Sequence, residues 1–340
     1  MAETRTVAGP GARNLITDVP GLKVGQAQDA RARTGVTVIL PDAQAVCAVD
    51  VRGGAPGTRE TDALQPENLV DAVDAVVLSG GSVYGLASAD GVAAWLGARG
   101  RGYSITEGVP PSPMVPAAVL FDMANGGDKA WGEAPPHRAL GRAAIEAAAL
   151  DFALGTAGAG YGAMAGSLKG GLGSASVVSA DGMTVGAIVA VNSWGSVVAP
   201  DGRSFWAAPY EVGDEFGGLG SAGLRAAGDE WGPSRIPAGR NTTIACVATD
   251  VALTPAQARR VAVMAQDGLS RAIRPAHAPF DGDVVFALST ARIALEEPAN
   301  FTLARIGALA ADVLARAIAR AAYEATAWPG VDVRTWRDRL

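Results

Sequence analysis

The sequence predicts a tightly packed α+β body of the kind enzymes have, and three observations carry that prediction. Charged residues are scarce while Gly and Ala are abundant, a composition that packs rather than staying solvated or fibrous. The first third is a succession of short apolar runs broken by Pro-Gly and Gly turns, which reads as strands. The last third carries two long stretches whose apolar residues recur at helical spacing. At 340 residues the chain has room for one large domain or two ordinary ones, with a substantial core in either case.

Taken in order, residues 1–13 read as a loose terminus, and 34–40 and 45–51 as neighbouring strands. Residues 52–58 form a glycine loop. A buried strand from Asp74 then enters, through Ser79-Gly80-Gly81-Ser82, a helix over about 87–97. The proline-rich 109–116 leads into a strand at 117–122, residues 138–150 are Ala-rich and helical, and 155–175 is the most Gly-dense stretch. Val185 to Asn192 is a strong buried strand ending in a polar amide, and 198–240, with little periodicity, reads as a long surface excursion. Thr254 caps a helix with Pro255 in its first turn and an apolar face of Ala258, Val261, Ala262, Ala265, Leu269 and Ala272. After a loop at 274–283 and a strand at 284–288, Asn300 is expected to cap a final helix over about 301–326, burying Leu303, Ile306, Ala310, Val313, Leu314 and Ala317.

Several chemistries are disfavoured. The net charge of -6 is mild, and no basic run marks a nucleic-acid or membrane-surface binder. Cys47 and Cys246 lie in apolar runs and read as buried free thiols. No signal-peptide core and no apolar run of about 18 residues is present, so a cytoplasmic protein is expected. With His137 and His277 far apart and no Cys-His cluster, no metal is expected. Gly160-Tyr161-Gly162 satisfies a loose nucleotide fingerprint with Asp181 beyond it, but the chain continues into more glycines instead of a helix. No G-x-S-x-G elbow occurs, which leaves His277 as the only histidine placed to serve a serine triad, and a solvent-facing or core-capping role suits it better.

The stretch from Pro237 to Asp250 remains. Its Gly-rich approach ends at Asn241-Thr242, after which Ile244, Cys246 and Ala248 alternate toward one face, so a hydroxyl stands where a loop becomes a strand. A threonine so placed can attack the carbonyl before it, turn that peptide into an ester and, after hydrolysis, present a new amino terminus whose amine is a built-in base. On composition alone, a Thr-Thr pair opening a strand is ordinary. Asp281 and Asp283 are candidates for orienting the amine and managing protons, and Asn192 for stabilising an oxyanion, although singly these read as a turn and a capping amide.

Together these residues resemble the self-processing hydrolases that include DmpA-type aminopeptidases, β-aminopeptidases and NylC-type 6-aminohexanoate (nylon) oligomer hydrolases. The resemblance runs through Leu22-Lys23-Val24-Gly25, Leu78 to Gly85, Val115 to Asp122, Lys169 to Ser174, Asn241 to Ile244, Asp267 to Pro275 and Phe280 to Asp283, covering nearly the whole chain. It implies one domain, an αββα sandwich of two mixed sheets between helix layers, cut between Asn241 and Thr242 into fragments 1–241 and 242–340. It also implies Thr242 as nucleophile, its α-amine as base, Asn192 in the oxyanion hole, and Asp281 and Asp283 as the acidic pair of threonine-type, nylon-cleaving members. Phe121, where some relatives carry tyrosine, and Tyr84 are its substrate-binding candidates.

Relatives place a Gly-Lys soon after the Gly-Ala-Gly run. This chain has Gly166-Ser167 there, and Lys169 either takes that lysine's role or serves only the next glycine loop. No cofactor is implied, and a homo-oligomer, tetrameric by family habit, is expected. The activity expected is amide hydrolysis on short peptides or amino-acid amides, with 6-aminohexanoate oligomers as a second substrate class. An acyltransferase using the same threonyl ester is the alternative from another class.

Overall fold

The computed structural model describes residues 8–104, 106–226, 228 and 241–339. In chain order the strands and helices begin with β1 (Leu22–Asp29), β2 (Thr34–Pro41), β3 (Ala45–Val51), β4 (Gly57–Arg59), β5 (Ala72–Val73), β6 (Val76–Ser79) and α1 (Ser88–Gly97). Next come β7 (Ala117–Val119), α2 (His137–Glu146), a small hairpin of β8 (Met164–Ala165) and β9 (Leu168–Lys169), β10 (Gly171–Val178) and β11 (Thr184–Asn192). The chain ends with β12 (Thr242–Val251), α3 (Pro255–Ala265), α4 (Asp267–Ala272), β13 (Val284–Ile293) and α5 (Ala299–Tyr323).

These strands make a five-stranded sheet, ordered β1-β2-β6-β7-β4, and a six-stranded sheet, ordered β10-β11-β12-β13-β3-β5. Each is mixed, with one parallel pair: β6 with β7, and β12 with β13. Alternation along a strand explains the layering, because successive side chains leave opposite faces. In β12, Ile244, Cys246 and Ala248 enter the core between the sheets, while Ala245, Val247 and Val251 enter the core beneath α3, α4 and α5. On β2, Val36, Val38 and Leu40 pack under α1 and α2, and Ile39 faces inward. The result is the expected αββα sandwich of mixed sheets, with both faces of its central strands buried. Each large side chain so buried contributes about 1.5–3 kcal/mol.

Glycine sets the helix-to-sheet distance at two places. A Cβ on Gly173 of β10 would lie 1.9 Å from the Ala317 carbonyl of α5, and one on Gly25 of β1 would lie 1.8 Å from the Ala144 carbonyl of α2. Backbone approaches backbone there as no other residue allows.

Some local expectations need correction. The capped helix at Thr254 is present, with Gln257 completing the capping box, but it breaks at Gln266, whose buried side chain donates to the Asp50 carbonyl at 2.8 Å. Asn300 is not the cap of α5. Pro298 holds that position, and the Glu297 carboxylate accepts the Ala299 N–H at 2.7 Å, serving the first turn in place of an asparagine.

The first part of the 198–240 stretch, through Gly217, is tied to the body, whereas 218–223, 225, 226 and 228 are exposed as expected and the remainder lies outside the described residues. Phe205 stacks on Trp336 at 5.1 Å and meets Phe216 edge-on at 5.5 Å, and Glu215 takes two hydrogen bonds from Arg316 of α5 at 2.6 and 2.9 Å. The N-terminal stretch is likewise tied down from Gly9, which bridges to Val178 of β10. Both cysteines are buried and free. No helix among the described residues is long and apolar enough to cross a membrane.

Candidate active site

Three strands deliver the site to one edge of the space between the sheets. Thr242 opens β12 with the same parity as Ile244 and Cys246, so its side chain points between the sheets. Asn192 ends β11 directly opposite Thr242 in the antiparallel ladder, on the same face. Because Val284 of β13 pairs with Ile244 in parallel register, Gly282 arrives beside Thr242. A Cβ on Gly282 would stand 2.7 Å from the Thr242 hydroxyl and 2.8 Å from the Ala55 carbonyl, so only glycine leaves that hydroxyl its place. Gly282→Ala is therefore expected to slow any reaction of that hydroxyl by about 100-fold. Gel densitometry of chain cutting over time, on protein whose circular dichroism is unchanged, checks it.

The Thr242 hydroxyl donates to the carbonyl oxygen of Asn241, the residue whose peptide bond it would attack. Both residues are buried, and neither polar atom of the Asn241 side chain has a hydrogen-bond partner among the described residues. The approach through Pro237 to Arg240 lies outside the described residues.

Asp283 accepts the Thr243 N–H on Oδ1 at 2.9 Å and two donors of His277 on Oδ2, the backbone N–H and ring Nδ1, each at 2.9 Å. Asp281 is buried one turn earlier, its N–H on the Ala278 carbonyl at 2.9 Å. The glycine loop at 52–58 is stitched onto this segment. Arg52 and Gly53 donate to the Asp283 carbonyl, and Ala55 donates to that of Asp281 at 2.8 Å. Asn192 is fixed at both ends of its amide: Oδ1 accepts the Met164 N–H and Nδ2 donates to the Phe121 carbonyl, each at 3.0 Å.

A cleft of about 320 Å³ opens on Asn241 and Thr242. Its walls include Ser82, Val83, Leu86, Phe121 and Phe280, with no charged side chain among the described lining residues. Behind the wall, buried Asp122 accepts the Gly81 N–H at 2.8 Å and so anchors the turn that carries Ser82 and Val83; desolvation pushes its carboxyl above the usual range. Tyr84, half-exposed and edge-on to Trp131 at 5.7 Å, is not among the lining residues, whereas Phe121 is.

Lys169 does not join this group. Its fully buried ammonium donates to the carbonyls of Gly170, Ala163 and Gly160 at 2.7, 3.1 and 3.3 Å and lies 4.9 Å from the centre of the Trp328 ring. It thereby clamps the hairpin whose Met164 N–H orients Asn192. Burial pushes Lys169 down to about 7, opposed by the Asp122 charge. The unfolded chain, with a lysine value near 10.4, therefore holds one more proton between about pH 7 and 10, and stability rises with pH across that window by at most about 1.4 kcal/mol per unit. Urea midpoints at pH 7 and 9 should show that rise in the wild type and a shallower one in Lys169→Met.

His277 and Gly282 were missed by sequence reasoning as parts of this arrangement. The available signal was the proximity of a rare histidine to the Asp-Gly-Asp turn. Among the described residues, no group of three His, Cys, Asp or Glu could hold a metal.

The profile of peptidase family S58 matches residues 14–336. An uncharacterized aminopeptidase of Mycobacterium bovis is 45% identical over 351 residues, covering 96% of this chain and 97% of its own. A 6-aminohexanoate-oligomer endohydrolase of Kocuria sp. is 31% identical over 330 residues, covering 93% and 88%. Two solved structures share the fold. The beta-aminopeptidase of Burkholderia sp. has a TM-score of 0.71 at 24% identity, covering 97% of this chain and 92% of that one. The L-aminopeptidase D-Ala-esterase/amidase of Ochrobactrum anthropi, described as a variant of the Ntn-hydrolase fold, has a TM-score of 0.71 at 22% identity, covering 97% and 91%.

Proposed function

This chain belongs to peptidase family S58 and is a hydrolase of peptide or amide bonds, and from that premise we propose that Thr242 is its nucleophile, made active by self-cutting at Asn241-Thr242. One observation carries the reading: the buried Thr242 hydroxyl sits hydrogen-bonded against the carbonyl of Asn241, across the strand ladder from Asn192.

In the proposed first step, Oγ1 bonds to the Asn241 carbonyl carbon and the C–N bond to Thr242 breaks. The hydroxyl proton passes to the departing nitrogen. Water then cleaves the resulting ester, leaving the Asn241 carboxylate and a free Thr242 amine. With an unperturbed value near 8, that amine is suited to take the hydroxyl proton when Oγ1 next attacks a substrate carbonyl. The acyl group is held as an ester, the substrate's amine leaves with the proton, and water releases the acid. Asn192, its amide locked at both ends, is the proposed donor to each oxyanion.

The proposed substrates are short peptides or amino-acid amides, as the aminopeptidase names of relatives suggest. A second reading, 6-aminohexanoate oligomers, is favoured by one feature. The described lining residues carry no charge and are mostly apolar, which suits a polymethylene chain.

Intact-mass measurement of the purified protein tests the cut. Fragments 1–241 and 242–340 are expected, with the short one beginning Thr-Thr-Ile-Ala. An uncut chain that turns over amides would overturn the proposal.

A further inference from the structure

We infer that His277 is a positioning residue, which through Asp283 fixes the Thr243 amide and thereby the angle at which the Thr242 hydroxyl meets its target carbonyl. The inference rests on the reading of Thr242 as nucleophile.

Asp283 is almost fully buried, and its carboxylate is held by three donors. One oxygen takes the N–H of Thr243, next to the candidate nucleophile in β12. The other takes both donors of a single residue, His277. A carboxylate that accepts two hydrogen bonds on one oxygen and one on the other has little freedom to rotate, so the Thr243 amide plane is set by where His277 stands.

Two features of His277 fit this role. Its backbone lies in the left-handed region at φ 57°, which is uncommon outside glycine and is what brings N–H and ring onto the same oxygen. Facing a carboxylate, Nδ1 must carry the proton, so the ring acts as a donor there and not as a base. His277 is also absent from the described lining of the cleft, and its side chain is 22% exposed. It therefore acts at one remove from substrate.

The test separates the ring from the strained backbone. His277→Gly adopts positive φ freely and keeps the backbone N–H but deletes the ring. His277→Asn tolerates positive φ and places an amide N–H near the site of Nδ1. His277→Gln carries its donor too far along. Each is made in the full chain. Self-cutting is followed on denaturing gels, and kcat and KM are measured on an alanine para-nitroanilide.

Glycine and glutamine are expected to lower the cutting rate and kcat by about 10- to 100-fold with KM within about twofold, asparagine to stay within about threefold of wild type, and added imidazole to restore part of the glycine variant's rate. Wild-type rates in the glycine variant, or equal rates in asparagine and glutamine, would overturn the inference. Should the glycine variant be recovered unfolded, the comparison of asparagine with glutamine decides alone. Thr242→Ala run alongside keeps the two readings apart. If it still cuts and hydrolyses, the nucleophile assignment has failed, whatever His277 does.

Discussion

Thr242→Ala is expected to be recovered as one polypeptide of 340 residues and to hydrolyse amides at least about 10,000-fold more slowly than wild type, the scale on which removal of a covalent nucleophile acts. The fold should survive the change. The only described partner of the hydroxyl is the carbonyl of Asn241, and alanine remains compatible with a strand position between Asn192 and Gly282. Loss of cutting in a folded protein would thus report chemistry, which circular dichroism and the thermal midpoint can establish. Thr242→Ser keeps the hydroxyl and loses a methyl, so it should still cut at the same bond and retain amide hydrolysis. The pair makes the hydroxyl, not the shape of residue 242, the variable. If the alanine chain were cut between 241 and 242, the bond would be broken by some other group.

The fold was legible where local pattern governs it. The alternation of Ile244, Cys246 and Ala248 marked β12 as a strand, and Thr254-Pro255 marked the start of α3. Tertiary pairing was less legible. Residues 192, 242 and 282 meet through strand register across separations of 50 and 40 residues, and nothing local distinguishes Asn192 from a capping amide or Gly282 from a turn glycine. Only the likeness to a known family joined Asn192, Thr242 and the acidic pair beforehand. The segment at 198–217 misled for a related reason: its buried phenylalanines pack singly against Trp336 and one another, leaving no periodicity to read. Lys169 shows the limit of substitution by nearness in sequence. It stands close to the family lysine's place, yet its ammonium is consumed by three backbone carbonyls.

Asn192→Ala is expected to lower kcat by about 100- to 1,000-fold with little change in KM, the loss seen when one oxyanion donor is removed. The argument starts from preorganisation. With Oδ1 on the Met164 N–H and Nδ2 on the Phe121 carbonyl, the amide cannot swing, so it reorganises little as charge develops nearby. Asn192 stands directly opposite Thr242 in the ladder, so self-cutting should slow in parallel with turnover. Asn192→Asp is the sharper variant. It preserves volume but replaces a donor with a carboxylate facing the developing negative charge and the Phe121 carbonyl, and should be at least as slow as alanine. A structural contribution is separable, because leaving the Met164 N–H and Phe121 carbonyl unpaired costs stability on the order of 1–3 kcal/mol each. That loss shifts the denaturation midpoint without changing kcat of the molecules that remain folded. Near-wild-type kcat in either variant, measured well below its midpoint, would assign the oxyanion donor to another group.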